Sequence, residues 1–355
     1  MFCKLISRLM RGTGGCSFEY VQDKTDPGVF YERSNEQDLC KNPLVTVRLV
    51  AYNHEKWIEE AIESVVCQEC PFEYEILVLE DCSTDRTREI CFQMQQKYPQ
   101  KIRVVYGARN EKGRKIQART LACARGKYVA MLEGDDYWDD KKKLAKQIAC
   151  IRETGSLGCV AYYSTLIDGK KEDRSVSEWG REVRLLSQKD VLRHYLHTST
   201  YVFNLEAYRS MIGRYGQIAK WYDTTMLNIF ANDYPLALCP ERLSVYRYTG
   251  EGIYSSLQAW KKMVHGVCIL LDLYRTLPSP GKRMVAKDIF KLACRCTVCR
   301  FEQSPVDGNI RWRFFLVACA MSCNIWTPLF GPVIALFRLR KCWKKRRGEL
   351  IRVID

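Results

Sequence analysis

The chain has 355 residues, of which 47% are hydrophobic and 27% are charged, a balance that excludes wholesale disorder. At about 150 residues per domain, this length predicts two domains or one large α/β domain with attachments. The net charge is +15, but residues 281–355 hold 16 Lys/Arg against 5 Asp/Glu and leave only +4 for the rest of the chain. The basic character therefore belongs to a C-terminal tail.

The 18 cysteines could indicate a disulfide-bonded secreted protein, which the start of the chain opposes. Lys4, Arg8 and Arg11 interrupt every apolar stretch there, so no secretory signal is expected. A chain of this length can bury a core without disulfides. The sequence therefore predicts reduced thiols in a cytoplasmic protein.

Strand and helix patterns alternate after an irregular lead-in at residues 1–42. Apolar runs rich in β-branched residues predict strands, and apolar stripes at helical spacing predict helices between them. Gly126 is expected as the C′ glycine of the third of these helices. The predicted strands are 44–52, 75–79, 102–106 and 127–132, and the predicted helices are 55–68, one ending near Tyr98, and 115–125. This alternation predicts an α/β fold with a Rossmann-like, mostly parallel sheet flanked by helices.

Polar clusters follow three of the predicted strands. They are Asn53-His54-Glu55, Glu80-Asp81 and the turn from Glu133 to Asp136. Ligands of parallel α/β sheets bind at the carboxyl ends of the strands. The three clusters therefore predict one site at that edge of the sheet.

Three acids crowd the turn after the fourth strand: Glu133, Asp135 and Asp136. Unpaired, they would repel one another, and a divalent cation such as Mg²⁺ or Mn²⁺ is the simplest partner for carboxylate oxygens. The alternative is an acidic loop that caps the helix expected at 143–154. The sequence contains neither a P-loop nor a dinucleotide-binding glycine motif, so we expect a nucleotide site that handles a diphosphate through a metal.

Three stretches together resemble the family 2 glycosyltransferases, which have the GT-A fold: PLVTVRLVAYNHEKWIEEAIESV, EILVLEDCSTDRT and GKYVAMLEGDDYW. The resemblance covers about residues 43–144 and continues more weakly to about 256. It implies an inverting enzyme of bacterial polysaccharide biosynthesis, which transfers a sugar from a UDP-sugar donor to a lipid-linked or polysaccharide acceptor.

The resemblance also implies roles for residues on the donor side. Ala51, Tyr52 and Glu55 would line the nucleotide pocket, and Asp81 would accept a hydrogen bond from N3–H of uracil. Asp135 would hold the metal with Glu133 beside it. The donor sugar or ribose would contact the acids of the turn, Glu133 and Asp136.

Three positions depart from the family pattern on this side of the site. Glu80 and Cys82 replace an aspartate and a glycine of the second motif, and Glu133 replaces the first aspartate of the Asp-x-Asp element. The longer glutamate side chain at position 133 can still reach a metal or a ribose, so its role is retained with a different geometry.

On the acceptor side, the resemblance implies that Asp223 is the general base that deprotonates the acceptor hydroxyl. Arg247 would neutralise the charge of the diphosphate, and the glycine-rich residues 249–256 would form a lid over the donor. The alternative for Asp223 is an acid at a helix N-terminus, which interacts favourably with the helix dipole.

The tail holds 24 uncharged residues, Phe314 to Phe337, with basic residues on both sides. Pro328 and Pro332 would interrupt a membrane-spanning helix. The flanking charges predict a segment that dips into the cytoplasmic face of the cell membrane, and so a peripheral membrane protein. A buried core helix and a transmembrane helix are the alternatives.

The expected domains are a lead-in (1–42), a nucleotide-sugar-binding half (43–155), an acceptor-binding half (156–280) and the tail (281–355). Two other function classes stay open. One is a nucleotidyltransferase acting on a sugar phosphate, although the glycine-rich basic loop of that class is missing. The other is a non-enzymatic membrane- or nucleic-acid-binding protein, but the basic residues adjoin an apolar stretch rather than aromatic residues on a folded face, so we expect no nucleic-acid partner.

Overall fold

The computed structural model describes residues 30–110, 112–173, 179–216, 223–250, 257, 259–278, 281–285 and 288. Residues 251–256 of the predicted lid (249–256) and the apolar run at 314–337 lie outside these residues. The strands are β1 (Phe30–Arg33), β2 (Val45–Ala51), β3 (Tyr74–Glu80), β4 (Ile102–Gly107), β5 (Tyr128–Glu133), β6 (Tyr137–Trp138), β7 (Gly158–Ile167), β8 (Lys170–Glu172), β9 (Arg184–Leu186), β10 (Val202–Asn204) and β11 (Leu236–Arg247). The helices are α1 (Ile58–Val66), α2 (Thr87–Lys97), α3 (Lys112–Cys123), α4 (Lys143–Thr154), α5 (Gln188–Arg193), α6 (Leu205–Tyr215), α7 (Asp223–Asp233) and α8 (Ala259–Thr276).

These strands form one sheet in the order β1-β4-β3-β2-β5-β10-β7-β11-β6, with β8 paired to β7 and β9 paired to β11. The pairs β4-β3, β3-β2, β2-β5 and β7-β11 are parallel. The six other pairings are antiparallel. The sheet is therefore mixed, and the prediction of a mostly parallel sheet holds only for its first half.

The chain after α4 explains this difference. A parallel neighbour needs a long crossover, whereas an antiparallel neighbour needs only a turn. Asp168 and Gly169 both have positive φ, 48° and 76°, and join β7 to β8 in a hairpin. The three-residue strand β10 follows a short 3₁₀ turn at Thr198–Thr200 and enters between β5 and β7 in the antiparallel direction.

The elements predicted in the first half are confirmed within a few residues. The helix expected at 143–154 is α4, and Gly155 ends it at φ 63°. Two details differ from the prediction. Phe30–Arg33, within the supposedly irregular lead-in, is a strand that pairs with β4.

The structural role of Gly126 also differs from the predicted one. Helix α3 ends at Cys123, so Gly126 is not its C′ residue. A Cβ at position 126 would lie 2.4 Å from the backbone N of Thr46, and the Gly126 N–H donates to Thr46 Oγ1 at 2.8 Å. The glycine is required because the chain passes directly against β2.

Two compact units divide the chain: Val21–Ser256, and Met1–Tyr20 together with Leu257–Asp355. The first contains the whole described sheet, so the two predicted halves at 43–155 and 156–280 share one sheet. The second contains α8. Nine cysteines between Cys40 and Cys239 are free thiols, as predicted. Among the described residues, the structure contains no helix that is both long and apolar enough to span a bilayer.

A lysine is fully buried in the core of the first unit. Lys143, the first residue of α4, has no exposed surface. Its ammonium group donates to Gln147 Oε1 at 2.5 Å and lies 4.1 Å from the centre of the Trp138 ring. Burial lowers the pKa of Lys143 to about 7, because the core solvates an ammonium ion poorly.

This pKa predicts a pH-dependent effect of Lys143→Met on stability. The lysine pKa is lower in the folded than in the unfolded chain, so the unfolded state binds more protons between about pH 7 and 10 and the free energy of unfolding rises with pH there. We expect the stability of Lys143→Met relative to the natural protein to fall by about 2 kcal/mol from pH 6 to pH 9. Urea unfolding at both pH values measures this change. An equal difference at the two values would show that Lys143 is not neutralised by burial.

Candidate active site

The strand order places a crevice at one edge of the sheet. The chain proceeds from β2 to β3 and β4 on one side, and then crosses to β5 on the other side of β2. The loops that follow β2 and β5 therefore leave in different directions. Ligands of α/β sheets bind at such a switch point, beside the carboxyl ends of the strands. All three predicted polar clusters lie there.

The loops after β2 and β3 are joined by backbone-to-side-chain hydrogen bonds. Asn53 is in the left-handed region, at φ 57°; its N–H donates to Ser83 Oγ at 3.0 Å, and its Oδ1 accepts from Thr84 N–H at 2.8 Å. The Glu55 carboxylate accepts from Arg86 N–H at 3.0 Å. Glu55 thus fixes the loop that leads into α2, and its predicted contact with the nucleotide stays a prediction.

Asp81 lies at the end of β3, where the base of a nucleotide is expected. It is 4% exposed, its N–H donates to the carbonyl of Ala51 at 2.9 Å, and Arg119 Nη1 is 3.9 Å from Asp81 Oδ1. The guanidinium of Arg119 compensates the charge of this enclosed carboxylate. Tyr52 follows Ala51, the last residue of β2, and its side chain is 38% exposed and so accessible to a ligand.

Glu80, the residue that replaces an aspartate of the family pattern, is committed to the protein. Its carboxylate accepts from Ser83 N–H at 2.6 Å and from Arg88 Nε at 2.5 Å, and it is fully buried. Glu80 therefore serves to hold the loop that follows β3.

The acid turn, Glu133 to Asp136, packs tightly against the loop after β2. The Gly134 N–H donates to the carbonyl of Val50 at 2.7 Å. A Cβ at Gly134 would lie 2.7 Å from His54 Nδ1, 2.9 Å from Ile58 Cδ1 and 3.0 Å from Val50 O. Only glycine allows this approach, which places Asp135 beside His54.

Gly134→Ala should therefore damage the site. The added methyl group must displace His54 and the acid turn, and we expect a loss of about 1–3 kcal/mol in stability together with weaker metal and nucleotide binding. Gly213→Ala is the matched control, because a Cβ there meets nothing within 4 Å, and it should be neutral or stabilising. Urea unfolding and calorimetric titration with UDP compare the two variants. Equal behaviour would show that the close approach at Gly134 does not shape the site.

Glu133 forms an ion pair that was not predicted from the sequence. Arg48 Nη1 lies 3.3 Å from Glu133 Oε1, and the Arg48 side chain is 5% exposed. Glu133 is 29% exposed, yet burial raises its pKa to about 7 against the opposing charge of Arg48, as expected for a carboxyl group at the base of a cleft. Glu133 thus pairs with Arg48, and its predicted place beside the metal stays a prediction. A lone arginine in the apolar run of β2 was the available signal.

Asp136 is also placed differently from the prediction of a donor contact. It is 1% exposed, accepts from the backbone N–H of Arg247 at 2.9 Å, and lies 3.5 Å from His197 Nδ1. Burial raises the pKa of Asp136 well above its ordinary value and lowers that of His197 to about 3, so the histidine is neutral. This enclosed pair joins the acid turn to the segment before β10 and leaves Asp136 no open face for a sugar.

Arg247 lies at the acid turn, but protein groups already hold its guanidinium. Nη1 donates to the carbonyl of Asp135 at 3.0 Å, and Nη2 donates to Glu60 at 2.5 Å. The Glu60 side chain is 57% exposed, so this second contact is largely in solvent. Arg247 thus fixes the turn that presents Asp135.

Asp135 is the carboxylate of the turn with the weakest protein contacts. Its Oδ1 lies 4.0 Å from His54 Nε2 and its side chain is 19% exposed. Within the described ranges, no group of three or more His, Cys, Asp or Glu side chains is arranged to hold a metal ion. Mg²⁺ commonly takes one or two protein carboxylates and fills its other positions with water and substrate phosphates. Asp135 fits that mode of binding, as the single protein carboxylate of a metal–diphosphate complex.

Asp223 begins the described part of α7 and is exposed. The negative charge of Asp223 raises the pKa of Glu133, and among the charged side chains only Arg48 affects that pKa more. The fold therefore brings an acid from the second half of the chain close enough to the acid turn to act on Glu133. Lys220, Trp221 and Tyr222, which precede it, lie outside the described residues.

The fold and its acidic crevice define an α/β protein of the GT-A type. S. aureus TarS residues 1–349 in complex with UDP-GlcNAc share the fold at a TM-score of 0.60 and 17% identity, over 87% of this chain and 93% of that one. The mannosyltransferase PcManGT from Pyrobaculum calidifontis in complex with GDP-Man and Mn²⁺ has a TM-score of 0.55 and 15% identity, over 98% and 92% of the two chains.

Residues 46–212 match the sequence model of Glycosyl transferase family 2, and the chain thus carries a domain of this family. An uncharacterised Mycobacterium tuberculosis protein is 29% identical over 234 residues, which are 63% of this chain and 65% of that protein. The putative teichuronic acid biosynthesis glycosyltransferase TuaG of Bacillus subtilis is 36% identical over 135 residues, 38% of this chain and 52% of that one. The chain spans between half and two thirds of these relatives.

Proposed function

We propose that this protein is an inverting glycosyltransferase that moves a sugar from a UDP-sugar to a lipid-linked or polysaccharide acceptor, with a divalent metal on the diphosphate. The observation that carries the proposal is the convergence of Asp135 and Asp223 on Glu133 at the switch point of the sheet. An inverting transfer needs these two acids on opposite sides of the reacting carbon, one at the leaving group and one at the acceptor.

The donor nucleotide would lie across the ends of β2 and β3. Asp81, paired with Arg119, would accept from N3–H of uracil, and the exposed ring of Tyr52 would cover the base. The binding of UDP and UDP-GlcNAc by TarS supports a uridine nucleotide here. The glutamate at position 133, held by Arg48, would face the donor sugar or ribose.

Asp135 would hold Mg²⁺ or Mn²⁺, which supplies positive charge to the departing diphosphate. The Mn²⁺ in the PcManGT complex supports this choice of metal. Arg247 would keep Asp135 oriented through the carbonyl that it binds, and adds a positive charge at the edge of the turn.

Asp223 would act as the general base. As the acceptor oxygen attacks the anomeric carbon, its proton passes to the Asp223 carboxylate and the bond from that carbon to the UDP oxygen breaks. Attack occurs from the face opposite to UDP, so the product has the opposite anomeric configuration. The exposed position of Asp223 leaves room for an acceptor between it and the donor.

The acceptor is proposed to belong to a bacterial cell-envelope polysaccharide. Two relatives support this: TuaG, a putative teichuronic acid biosynthesis glycosyltransferase, and the Staphylococcus aureus poly(ribitol-phosphate) β-N-acetylglucosaminyltransferase TarS, which is 34% identical over 96 residues. We further propose that the protein works in the cytoplasm at the inner face of the cell membrane, which residues 314–347 would contact.

Seven Lys/Arg lie between Arg338 and Arg347, and neutralising them should release the protein from anionic vesicles. Each basic residue near such a surface contributes about 1 kcal/mol, so replacement of all seven by glutamine should abolish co-sedimentation at low salt. Vesicles of neutral lipid are the control for the charge effect. Undiminished binding of the substituted protein would contradict the peripheral contact.

A screen of nucleotide-sugars tests the function as a whole. The protein is melted with UDP-, GDP-, CDP- and ADP-sugars, each with and without Mn²⁺. We expect the largest rise in melting temperature with a UDP-sugar and Mn²⁺ together, because a ligand that binds only the folded state stabilises it. Stabilisation by a GDP-sugar alone would overturn the donor assignment, and no stabilisation by any nucleotide-sugar would overturn the function.

A further inference from the structure

A group of aromatic rings lies beside the acid turn and has no part in the donor site. We call Tyr163, Tyr195, His197, Tyr246 and Tyr248 the tyrosine cluster. The His197 ring lies 4.4 Å from Tyr246, 5.5 Å from Tyr163 and 6.2 Å from Tyr195, centre to centre. Tyr248 meets Tyr246 edge-on at 6.4 Å. The cluster is therefore continuous and is centred on the histidine that is close to Asp136.

The interior of the cluster is buried, whereas two of its rings are open to solvent. Tyr163 and His197 are 6% and 5% exposed, but Tyr195 is 51% and Tyr248 38% exposed. Few large apolar side chains among the described residues are exposed to this degree. Aromatic rings with one buried and one wet edge are typical of recognition surfaces.

The tyrosine cluster adjoins the acid turn, because its central His197 lies 3.5 Å from the Asp136 carboxylate. After burial, Asp223 is the strongest influence on the pKa of Tyr195, which is raised well above its ordinary value. The pKa of Tyr246 is also raised, first by burial and then by the neighbouring Asp136 and Asp135. Tyr195 is half exposed and yet surrounded closely enough for burial to raise its pKa, which describes a side chain that lines a cleft.

The charges around the cluster determine which ligands it can accept. The charged side chain that acts most strongly on the exposed ring of Tyr195 is the carboxylate of Asp223. A phosphate or uronate group placed beside that ring would be repelled by this carboxylate. A neutral ligand would meet no such penalty.

We propose that the tyrosine cluster is the acceptor subsite, and that it binds a neutral pyranose ring whose C–H face lies on Tyr195. This inference rests on the proposed function and narrows the acceptor from glycans in general to uncharged sugar rings. A pyranose presents an apolar face of C–H groups and a rim of hydroxyls, which matches an aromatic face with tyrosine hydroxyls around it. A linear polyol phosphate has no such face and carries the wrong charge.

The test uses the full chain with saturating UDP and Mg²⁺, titrated with simple acceptor probes and followed by saturation-transfer NMR. The neutral probes are methyl β-D-glucopyranoside, methyl N-acetyl-β-D-glucosaminide and methyl α-D-mannopyranoside. The charged probes are ribitol 5-phosphate and methyl β-D-glucuronide. We expect at least one neutral glycoside to bind about tenfold or more tightly than both charged probes.

Variants at Tyr195 test the residue itself. Tyr195→Ala should weaken binding of that glycoside about tenfold, whereas Tyr195→Phe, which keeps the ring, should stay within about threefold. Tyr31→Ala is the control, because Tyr31 is 52% exposed on the edge strand β1, and it should bind glycoside unchanged. UDP affinity should be the same in all four proteins, which also shows that they are folded.

Three results would overturn the inference alone: tighter binding of a charged probe, unchanged glycoside binding by Tyr195→Ala, or no glycoside binding in the presence of bound UDP. If UDP itself did not bind to the natural protein, the proposed function would fail and the acceptor subsite with it. The UDP titration therefore distinguishes the two failures.

Discussion

Asp223→Asn should reduce kcat about 10²–10⁴-fold and leave the affinity for UDP nearly unchanged. Positioned proton transfer contributes a factor of this size, and asparagine keeps the shape of the side chain while losing the ability to accept a proton. Asp223 is exposed at the start of α7, and none of the proposed nucleotide contacts involves it. Steady-state transfer kinetics and a UDP titration measure the two quantities separately.

Asp168→Asn is the matched control for this substitution. Asp168 is exposed in the β7–β8 hairpin at φ 48°, a conformation that asparagine adopts equally well, so its transfer rate should not change. If Asp223→Asn kept transfer within about threefold of the natural rate, the general base would lie elsewhere. A product with the donor's anomeric configuration, determined by NMR, would contradict a single displacement.

Asp135→Asn should reduce kcat/KM about 10³-fold or more, because it removes the carboxylate of the turn that is proposed to hold the metal. Asp136 is buried against Arg247 and His197, and Glu133 pairs with Arg48. Neither is therefore positioned to replace it. Transfer assayed over a range of Mn²⁺ concentrations should show no recovery at high metal.

Asp139→Asn provides the comparison for Asp135. Asp139 lies four residues further along the chain, is 42% exposed and pairs with Lys171 on the surface, a contact of small energetic value. The variant should behave like the natural protein. Recovery of Asp135→Asn at high Mn²⁺ would indicate that other groups hold the metal and that Asp135 only improves its affinity.

The sequence predicted the first half of the fold well, because its signals are local and strong. The run LVTVRLVAY can only be a strand buried on both faces, and α4 begins and ends at the expected residues. The three polar clusters reached the same edge of the sheet because parallel strands place their carboxyl ends there. The second half is harder, since β10 has only three residues and its antiparallel pairing depends on a turn rather than on periodicity.

The contacts that define the site could not be predicted from the sequence, for a different reason. Arg48 and Glu133 are 85 residues apart, and Asp136 and His197 are joined only by the fold. The sequence predicted a metal at Asp135 and Glu133 and a donor contact at Asp136. It gave no sign that Glu133 pairs with Arg48 or that Asp136 is enclosed with His197, because these partners come from distant elements.

The most direct test of the account is a calorimetric titration of the natural protein and Asp135→Asn with UDP, with and without Mn²⁺. We expect Mn²⁺ to raise the affinity of the natural protein for UDP about tenfold or more, and we expect no such gain in Asp135→Asn. Equal tightening by Mn²⁺ in both proteins, or no UDP binding by the natural protein, would contradict it.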